Sequence, residues 1–183
     1  MSCIIILLNS YQYASAMEMQ EILKLLSATP VKFAQFSETR TSYFLENPLV
    51  TKGSLEFKAP ATMIKRMQEP EEIVQRIDGD VLSISNGNEL NNTVYLSSNT
   101  DLAMGINAVR WMLSGDESAL NQNFNITFNN VVHQWSVKLV PKDSSVSDVI
   151  TSILITGEKD FIKQIKVTHA NGDSIITDLY DHK

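Results

Sequence analysis

Cysteine is almost absent from the sequence, which removes one class of covalent chemistry. Cys3 is the single cysteine among 183 residues. It lies in an N-terminal segment that has the features of a cleaved leader, and its position does not fit the lipobox of a lipoprotein. A disulfide within the chain needs two cysteines. We therefore expect no disulfide and no thiolate chemistry in the mature chain.

Positive charge is also scarce. The chain has 15 Lys and Arg against 21 Asp and Glu, a formal net charge of -6, and no run of basic residues. Proteins that bind nucleic acid or anionic membranes by bulk charge have an excess of Lys and Arg over Asp and Glu. We expect no nucleic-acid partner.

The sequence lacks the usual signatures of catalysis and metal binding. The chain has three histidines, His133, His169 and His182. None of them lies three or four residues from another metal-ligating residue in a pattern that would bind a metal. Glu71 and Glu72 point to opposite faces of a strand, so they cannot work as an acid and base pair. No nucleophile elbow, phosphate-binding glycine loop or dinucleotide fingerprint occurs. We predict no enzymatic activity, no metal and no cofactor.

No apolar run is long enough for a transmembrane helix, but the N-terminus carries a short one. The run Cys3 to Leu8 is followed by Ala14-Ser15-Ala16, the small-residue pattern that precedes signal-peptidase cleavage. This predicts a signal peptide over residues 1–16 and a mature domain over 17–183. No Lys or Arg precedes the run, and one explanation is that translation starts upstream and that Met1 is an internal residue of the leader. The alternative is a buried N-terminal strand.

Hydrophobic periodicity divides the rest of the chain. Residues 17–27 repeat at helical spacing, which predicts an amphipathic helix that ends before Pro30. Beyond it the period changes to two, and Asp78-Gly79 and Asn171-Gly172 mark hairpin turns. The pattern indicates an antiparallel meander of about ten strands. The predicted strands are 31–41, 53–58, 62–68, 73–77, 81–85, 92–97, 124–128, 133–140, 149–156, 161–168 and 174–179.

A second helix, predicted over residues 101–113, interrupts the strands and is apolar on two sides. A helix of this kind must be covered on both sides, by protein or by a ligand. Gly115 supplies its C-terminal stop. The two apolar stripes are Leu102, Ile106, Val109 and Leu113 on one side and Met104, Ala108 and Trp111 on the other.

The predicted element sizes indicate an apolar hollow. Ten strands spaced about 4.8 Å apart make a sheet about 45 Å across, whereas one helix covers only about 10 Å. Such a sheet must curl into a barrel or half-barrel, or split into a sandwich. We expect an α+β fold, a strongly curved antiparallel half-barrel covered by short helices. Met63, Met67, Met104 and Met112 either adapt this surface to varied apolar partners or simply fill the core.

One stretch of the sequence resembles a known family. The segment Pro48 to Pro60, PLVTKGSLEFKAP, resembles the PL-x-S-x-G-x-L-x-F-x-x-P stretch of LolA-type outer-membrane lipoprotein carriers. Phe33-Ala34-Gln35 is similar to their F-x-Q strand, and Asp78-Gly79 falls at their DG hairpin. The closer similarity is to the LolA-related branch. It is carried by Lys65-Arg66, Leu113-Ser114-Gly115-Asp116 and Trp135-Ser136-Val137-Lys138-Leu139-Val140-Pro141.

The resemblance implies a periplasmic, monomeric carrier whose concave face accepts acyl chains. It also implies an inner-membrane donor complex and an outer-membrane acceptor. Ala59 and Lys65 stand where the best-studied carriers have an arginine and a tryptophan. The acylated cargo is therefore either a lipoprotein or a lipid conjugate.

The predicted lipid-binding residues combine the sheet and the underside of the second helix. Two alternatives stay open: a non-catalytic protein-interaction module with a filled core, and an acyl-handling enzyme that would use His133. The predicted lipid-binding residues are Leu55, Phe57, Met63, Met67, Met104, Ala108, Trp111, Phe124, Ile126, Trp135, Val137 and Leu139.

Overall fold

The computed structural model describes residues 18–87, 89–131 and 134–181, which form eleven β-strands and four α-helices. The predicted signal peptide, residues 1–16, and His133 lie outside the described residues. The helices are α1 (Met19–Ser27), α2 (Thr100–Ser114), α3 (Glu117–Asn123) and α4 (Ser144–Ser147). The strands are β1 (Val31–Thr41), β2 (Leu49–Lys58), β3 (Thr62–Glu69), β4 (Ile73–Asp78), β5 (Val81–Asn86), β6 (Glu89–Tyr95), β7 (Phe124–Val131), β8 (Gln134–Pro141), β9 (Ile150–Glu158), β10 (Phe161–His169) and β11 (Ser174–Asp181).

All eleven strands belong to one antiparallel sheet, in the order β6-β5-β4-β3-β2-β1-β11-β10-β9-β8-β7. The first six strands and the last five are each a meander, and the two meanders join where β1 pairs with β11. Strands β6 and β7 are the two edges, so the sheet is not closed into a barrel. The predicted α+β fold, a curved antiparallel sheet covered by short helices, is confirmed.

Two helices, α2 and α3, connect the two edges of the sheet. Strand β6 ends at one edge and β7 begins at the other, and α2 and α3 make the connection between them. Helix α2 follows a short 3₁₀ turn, Leu96–Ser98, and ends at Gly115. Gly115 adopts φ 73°, the left-handed conformation that glycine accepts without strain. The predicted helix and its stop are thus both present.

Two short helices were not predicted from the sequence, because side-chain caps rather than apolar periodicity define them. The Asp116 carboxylate accepts a hydrogen bond of 3.0 Å from the backbone N–H of Ala119 at the start of α3. The Asp143 carboxylate accepts one of 2.8 Å from the N–H of Ser145 at the start of α4. A cap of this kind satisfies an N–H group that has no partner within the helix.

Strand alternation sorts neighbouring charges onto opposite faces of the sheet. Lys65 pairs with Leu55 across β2 and β3, on the face turned toward α2. Arg66 faces the other way, where its Nη1 lies 3.4 Å from a carboxylate oxygen of Glu56. The ammonium of Lys58 donates a hydrogen bond of 2.7 Å to the same carboxylate and is the main cause of its lowered pKa. Lys65 therefore lies on the face turned toward α2, whereas Arg66 lies on the opposite face of the sheet beside Glu56.

The packed core lies at one side of the sheet. A large cluster joins α1, α2, α3 and α4 to strands β7 to β10. A smaller cluster of Ile77, Leu82 and Leu96 packs against the first half of α2. Helix α2 therefore rests on packed residues at both ends of its path across the sheet. Buried members of the large cluster are Ile22, Leu23, Leu26, Met104, Ala108, Met112, Leu120, Phe124, Trp135, Val137, Leu139, Val146, Ile150, Ile153, Ile155 and Ile162.

Candidate functional site

Between α2 and the first meander the helices do not fill the space, and a cavity of about 1020 Å³ remains. This volume is at the upper end of small-molecule pockets, which measure roughly 300–1,000 Å³. Its wall is built from alternate residues of the strands, because successive side chains of a strand point to opposite faces. The apolar residues that line it on the sheet side include Leu55, Phe57, Met63, Met67, Ile73, Ile77, Leu82, Ile165, Val167, Ile175 and Leu179.

The face of α2 that lines the cavity is one of its two apolar stripes. Leu102, Ile106, Val109 and Leu113 line the cavity, together with Gly105 between them. The other stripe, Met104, Ala108 and Trp111, belongs to the large packed cluster. One side of the helix is therefore packed against protein, and the other side faces the cavity.

The residues predicted to bind lipid fall into two groups. Leu55, Phe57, Met63 and Met67 line the cavity together. The other eight belong to the large packed cluster, where the four helices crowd over strands β7 to β9. These eight are Met104, Ala108, Trp111, Phe124, Ile126, Trp135, Val137 and Leu139.

Both tryptophans are held within that cluster. The rings of Trp111 and Phe124 meet edge to face with centroids 6.3 Å apart. Trp135 is 3% exposed, and its indole N–H donates a hydrogen bond of 2.9 Å to the backbone oxygen of Lys159. The side of the sheet that carries this cluster is therefore filled by protein side chains.

Part of the lining comes from strands that sequence reasoning did not assign to the site. Ile165, Val167, Ile175 and Leu179 lie on β10 and β11. Their alternation was visible in the sequence. The pairing of β1 with β11 was not, and that pairing brings Leu179 opposite Phe36 and beside the first meander.

A charged pair lies within this apolar wall. The Lys65 ammonium is 2.7 Å from Glu38 Oε2, and the two side chains are only 20% and 15% exposed. The Thr177 hydroxyl donates a second hydrogen bond of 3.0 Å to the same oxygen. The Lys65 ammonium also lies 4.9 Å from the centroid of the Phe36 ring. Because both charges are largely removed from water, the pair interacts more strongly than an exposed one.

One hydroxyl beside this pair has no partner. Among the described residues, Thr51 Oγ1 is shielded from solvent and makes no hydrogen bond. Thr51 lines the cavity and pairs directly with Glu38 across β1 and β2. An unsatisfied buried hydroxyl costs about 1–3 kcal/mol. The cavity wall therefore contains a hydroxyl group whose hydrogen-bonding capacity is not satisfied.

An arginine holds α2 to a hairpin of the first meander. Arg110 donates hydrogen bonds of 2.9 Å to the backbone oxygen of Gly79 and 3.1 Å to the side-chain oxygen of Asn107. Burial lowers the pKa of the Arg110 guanidinium, while Asp78 and Asp80 act in the opposite direction. The contact fastens α2 to the hairpin between β4 and β5.

Residues 12–180 match the family model described as outer membrane lipoprotein carrier protein LolA-like. The chain belongs to the LolA-like family. This agrees with the resemblance carried by the segment Pro48 to Pro60. Among curated proteins, none matches this LolA-like sequence.

Several solved structures resemble the LolA-like chain over most of their length. A LolA superfamily protein from Nitrosomonas europaea is 12% identical, with 91% of this chain and 93% of that chain covered and a TM-score of 0.49. A putative outer membrane lipoprotein-sorting protein domain from Vibrio parahaemolyticus is 8% identical, with 91% and 90% covered and a TM-score of 0.48. The lipoprotein LppX from Mycobacterium tuberculosis is 9% identical, with 88% and 92% covered and a TM-score of 0.44.

Two further features concern the part of this LolA-like chain that the structure describes. None of its helices is both long and apolar enough to cross a bilayer. Within the same residues, no group of three or more His, Cys, Asp or Glu side chains is arranged to hold a metal ion.

Replacing Arg110 with methionine should loosen α2 without unfolding this LolA-like protein. The variant loses the hydrogen bond to Gly79, and one bond to a charged donor is worth about 1.5 kcal/mol or more. Amide hydrogen exchange in α2 should therefore become roughly tenfold faster, whereas exchange in β8 and β9 should stay unchanged. Lys138→Met, at an exposed position on β8, is the matched control. Unchanged exchange in α2 would show that Arg110 does not fasten the helix.

Proposed function

We propose that the protein is a non-catalytic carrier that binds the acyl chains of a lipidated cargo in the cavity beneath α2. The single observation that carries this proposal is an apolar cavity of about 1020 Å³ between the helix and the sheet. The alternative of an interaction module with a filled core predicts no such space. The cargo is a lipoprotein or a lipid conjugate.

The energetics of acyl transfer call for a cavity of this kind. A chain of about fifteen methylenes in water costs on the order of 12 kcal/mol, at ~0.8 kcal/mol per methylene. A methylene occupies about the liquid volume of a water molecule, roughly 30 Å³, so such a chain requires roughly 450 Å³. By volume the cavity therefore has room for two such chains.

Of the twelve residues predicted from the sequence, we propose that four contact the chain directly. Leu55, Phe57, Met63 and Met67 stand on the cavity wall. Two methionines and an aromatic ring give a wall that adapts to chains of different shape. The eight residues of the packed cluster then act as the support that keeps the open side from collapsing.

Family membership supports a proposal for where in the cell the carrier works. LolA-like family members are carriers or binders and are typically extracytoplasmic. We propose a periplasmic monomer that receives cargo from an inner-membrane donor complex and delivers it to an outer-membrane acceptor. The Arg110 contact would then give α2 a closed position from which it opens at either membrane.

A direct binding measurement tests the carrier function. Delipidated protein should bind a fluorescent long-chain fatty acid saturably, with one or two chains per protein. Native mass spectrometry of protein taken from its own host should show bound lipid. Heat-unfolded protein, and an unrelated protein of similar charge, are the controls. If the folded protein takes up no acyl probe and carries no lipid, the carrier function is wrong.

A further inference from the structure

A lysine stands in the middle of the apolar wall that the acyl chain would contact. On β3 Lys65 alternates with Met63 and Met67 on the cavity side, and it pairs with Leu55 on β2. A chain lying along these residues must pass the ammonium. Burying a charge in such a wall is costly unless it has polar partners. Its position therefore needs a chemical reason.

The ammonium has hydrogen-bonding capacity to spare. A lysine side chain carries three donors. Among the described residues, the hydrogen-bond acceptor of Lys65 Nζ is Glu38 Oε2, and the Phe36 ring is a further contact. Glu38 Oε2 also accepts the Thr177 hydroxyl. Protons of Nζ thus remain available to an acceptor that enters the cavity.

The unpaired Thr51 hydroxyl points to the same kind of guest. It stands opposite Glu38 on the neighbouring strand and also lines the cavity. An incoming oxygen atom could accept a hydrogen bond from the Lys65 ammonium and, once the atoms that shield Thr51 Oγ1 from solvent shift, a second one from the Thr51 hydroxyl. The apolar residues around these two donors would meanwhile hold the chain to which the oxygen is attached.

The charge of the site selects among oxygen acceptors. Lys65 and Glu38 neutralise each other, and the cavity lining as a whole has more carboxylates than cations, so it carries no net positive charge to attract an anion. A carboxylate or phosphate beside Lys65 would also lie close to the Glu38 carboxylate and be repelled by it. An uncharged carbonyl accepts the same hydrogen bonds without that penalty.

From these observations we infer a polar subsite within the acyl cavity. Lys65 and Thr51, with Lys65 oriented by Glu38, bind the uncharged carbonyl oxygen of an acyl ester or amide linkage. The inference rests on the proposed carrier function, because the same cavity must hold the chain. It adds that the protein recognises the linkage as well as the hydrocarbon, and so prefers esterified or amide-linked chains to free fatty acids.

A comparison of three guests of similar length tests the subsite. Methyl hexadecanoate, octadecane and hexadecanoate compete with an environment-sensitive apolar dye for the delipidated protein. The ester should bind about tenfold more tightly than the alkane, as one hydrogen bond to a charged donor provides, and more tightly than the free acid. Carbonyl-labelled ester should also show its infrared stretch at lower frequency when bound than in liquid alkane.

Three variants separate recognition from stability. Thr51→Val, which keeps the shape and the ion pair, should reduce the ester preference about threefold, as a weaker neutral hydrogen bond would. The double variant Lys65→Met with Glu38→Gln avoids an unpaired charge and should remove the preference and the infrared shift. Arg76→Met breaks an ion pair on the opposite face of the sheet and should leave both unchanged.

The outcomes distinguish this inference from the carrier function. Equal binding of ester and alkane, or an unshifted carbonyl stretch, overturns the subsite while the carrier function stands. Tightest binding of the free acid also overturns it, since Glu38 would then not exclude an anion. If none of the three guests displaces the dye, both proposals fail.

Discussion

Replacing Gly105 with tryptophan should weaken acyl binding roughly hundredfold while leaving the fold intact. Gly105 lies on the face of α2 that lines the cavity, and a Cβ atom built there meets no atom within 4 Å. A larger side chain therefore extends into empty space rather than into packed residues. If the indole displaces about four methylenes at ~0.8 kcal/mol each, the dissociation constant rises roughly hundredfold. Titration with a fluorescent fatty acid measures this change.

Gly105→Ala is the matched control for that variant. A methyl group is too small to fill the cavity, so binding should stay near the wild-type value. Alanine in a helix interior is favoured over glycine by about 1 kcal/mol, so the free energy of unfolding should rise by that amount. If Gly105→Trp folds and still binds the probe like the wild type, the acyl chain does not occupy this cavity.

Replacing Gly53 with alanine should lower the free energy of unfolding, by more than the same substitution at Gly105 raises it. A Cβ atom at this buried position overlaps the backbone oxygen of Arg66 on the neighbouring strand. The register of β2 against β3 shifts between Lys52 and Gly53, so the glycine lies at an irregularity of the sheet. Glycine commonly occupies such bends because another backbone approaches closely. We expect Gly53→Ala to lower the free energy of unfolding by about 3 kcal/mol or more.

Chemical denaturation followed by far-ultraviolet circular dichroism measures the Gly53 effect. Gly105→Ala again serves as the control, since the identical chemical change there is stabilising. Ser54→Ala, one residue along β2, tests whether any small change in this strand has the same consequence. A Gly53→Ala protein as stable as the wild type would show that β2 and β3 can separate at this point without cost.

Most of the architecture was predictable because it depends on short-range patterns. The alternation in β1 to β11 and the glycine turns between the strands place nearly every element within a few residues of its position. Because a sheet of about ten strands is much wider than one helix, a curved sheet with an apolar hollow could be predicted. Helices α3 and α4 escaped prediction because Asp116 and Asp143 start them by capping, and neither has a long apolar stripe.

The location of the hollow was decided by tertiary structure. Alternation states which residues share a face but not which stretch of that face the helices cover. Phe57 on β2 and Leu139 on β8 have similar sequence surroundings, yet only Phe57 lines the cavity. Likewise, the two apolar stripes of α2 are equivalent in the sequence. In the folded protein α2 packs against α1, Ala108 lies in the large core cluster, and Ile106 lines the cavity.

The family, the antiparallel strands and the two longer helices can be predicted from the amino-acid sequence, because they follow from local periodicity, turn chemistry and motifs. The ion pair between Lys65 and Glu38, in contrast, is recognised only in the folded protein. Glu38 and Lys65 lie on strands that are not neighbours, and each is an ordinary polar residue of an alternating strand in the sequence. Only the curvature of the sheet brings their side chains together across β2, within an apolar wall that no single strand could form.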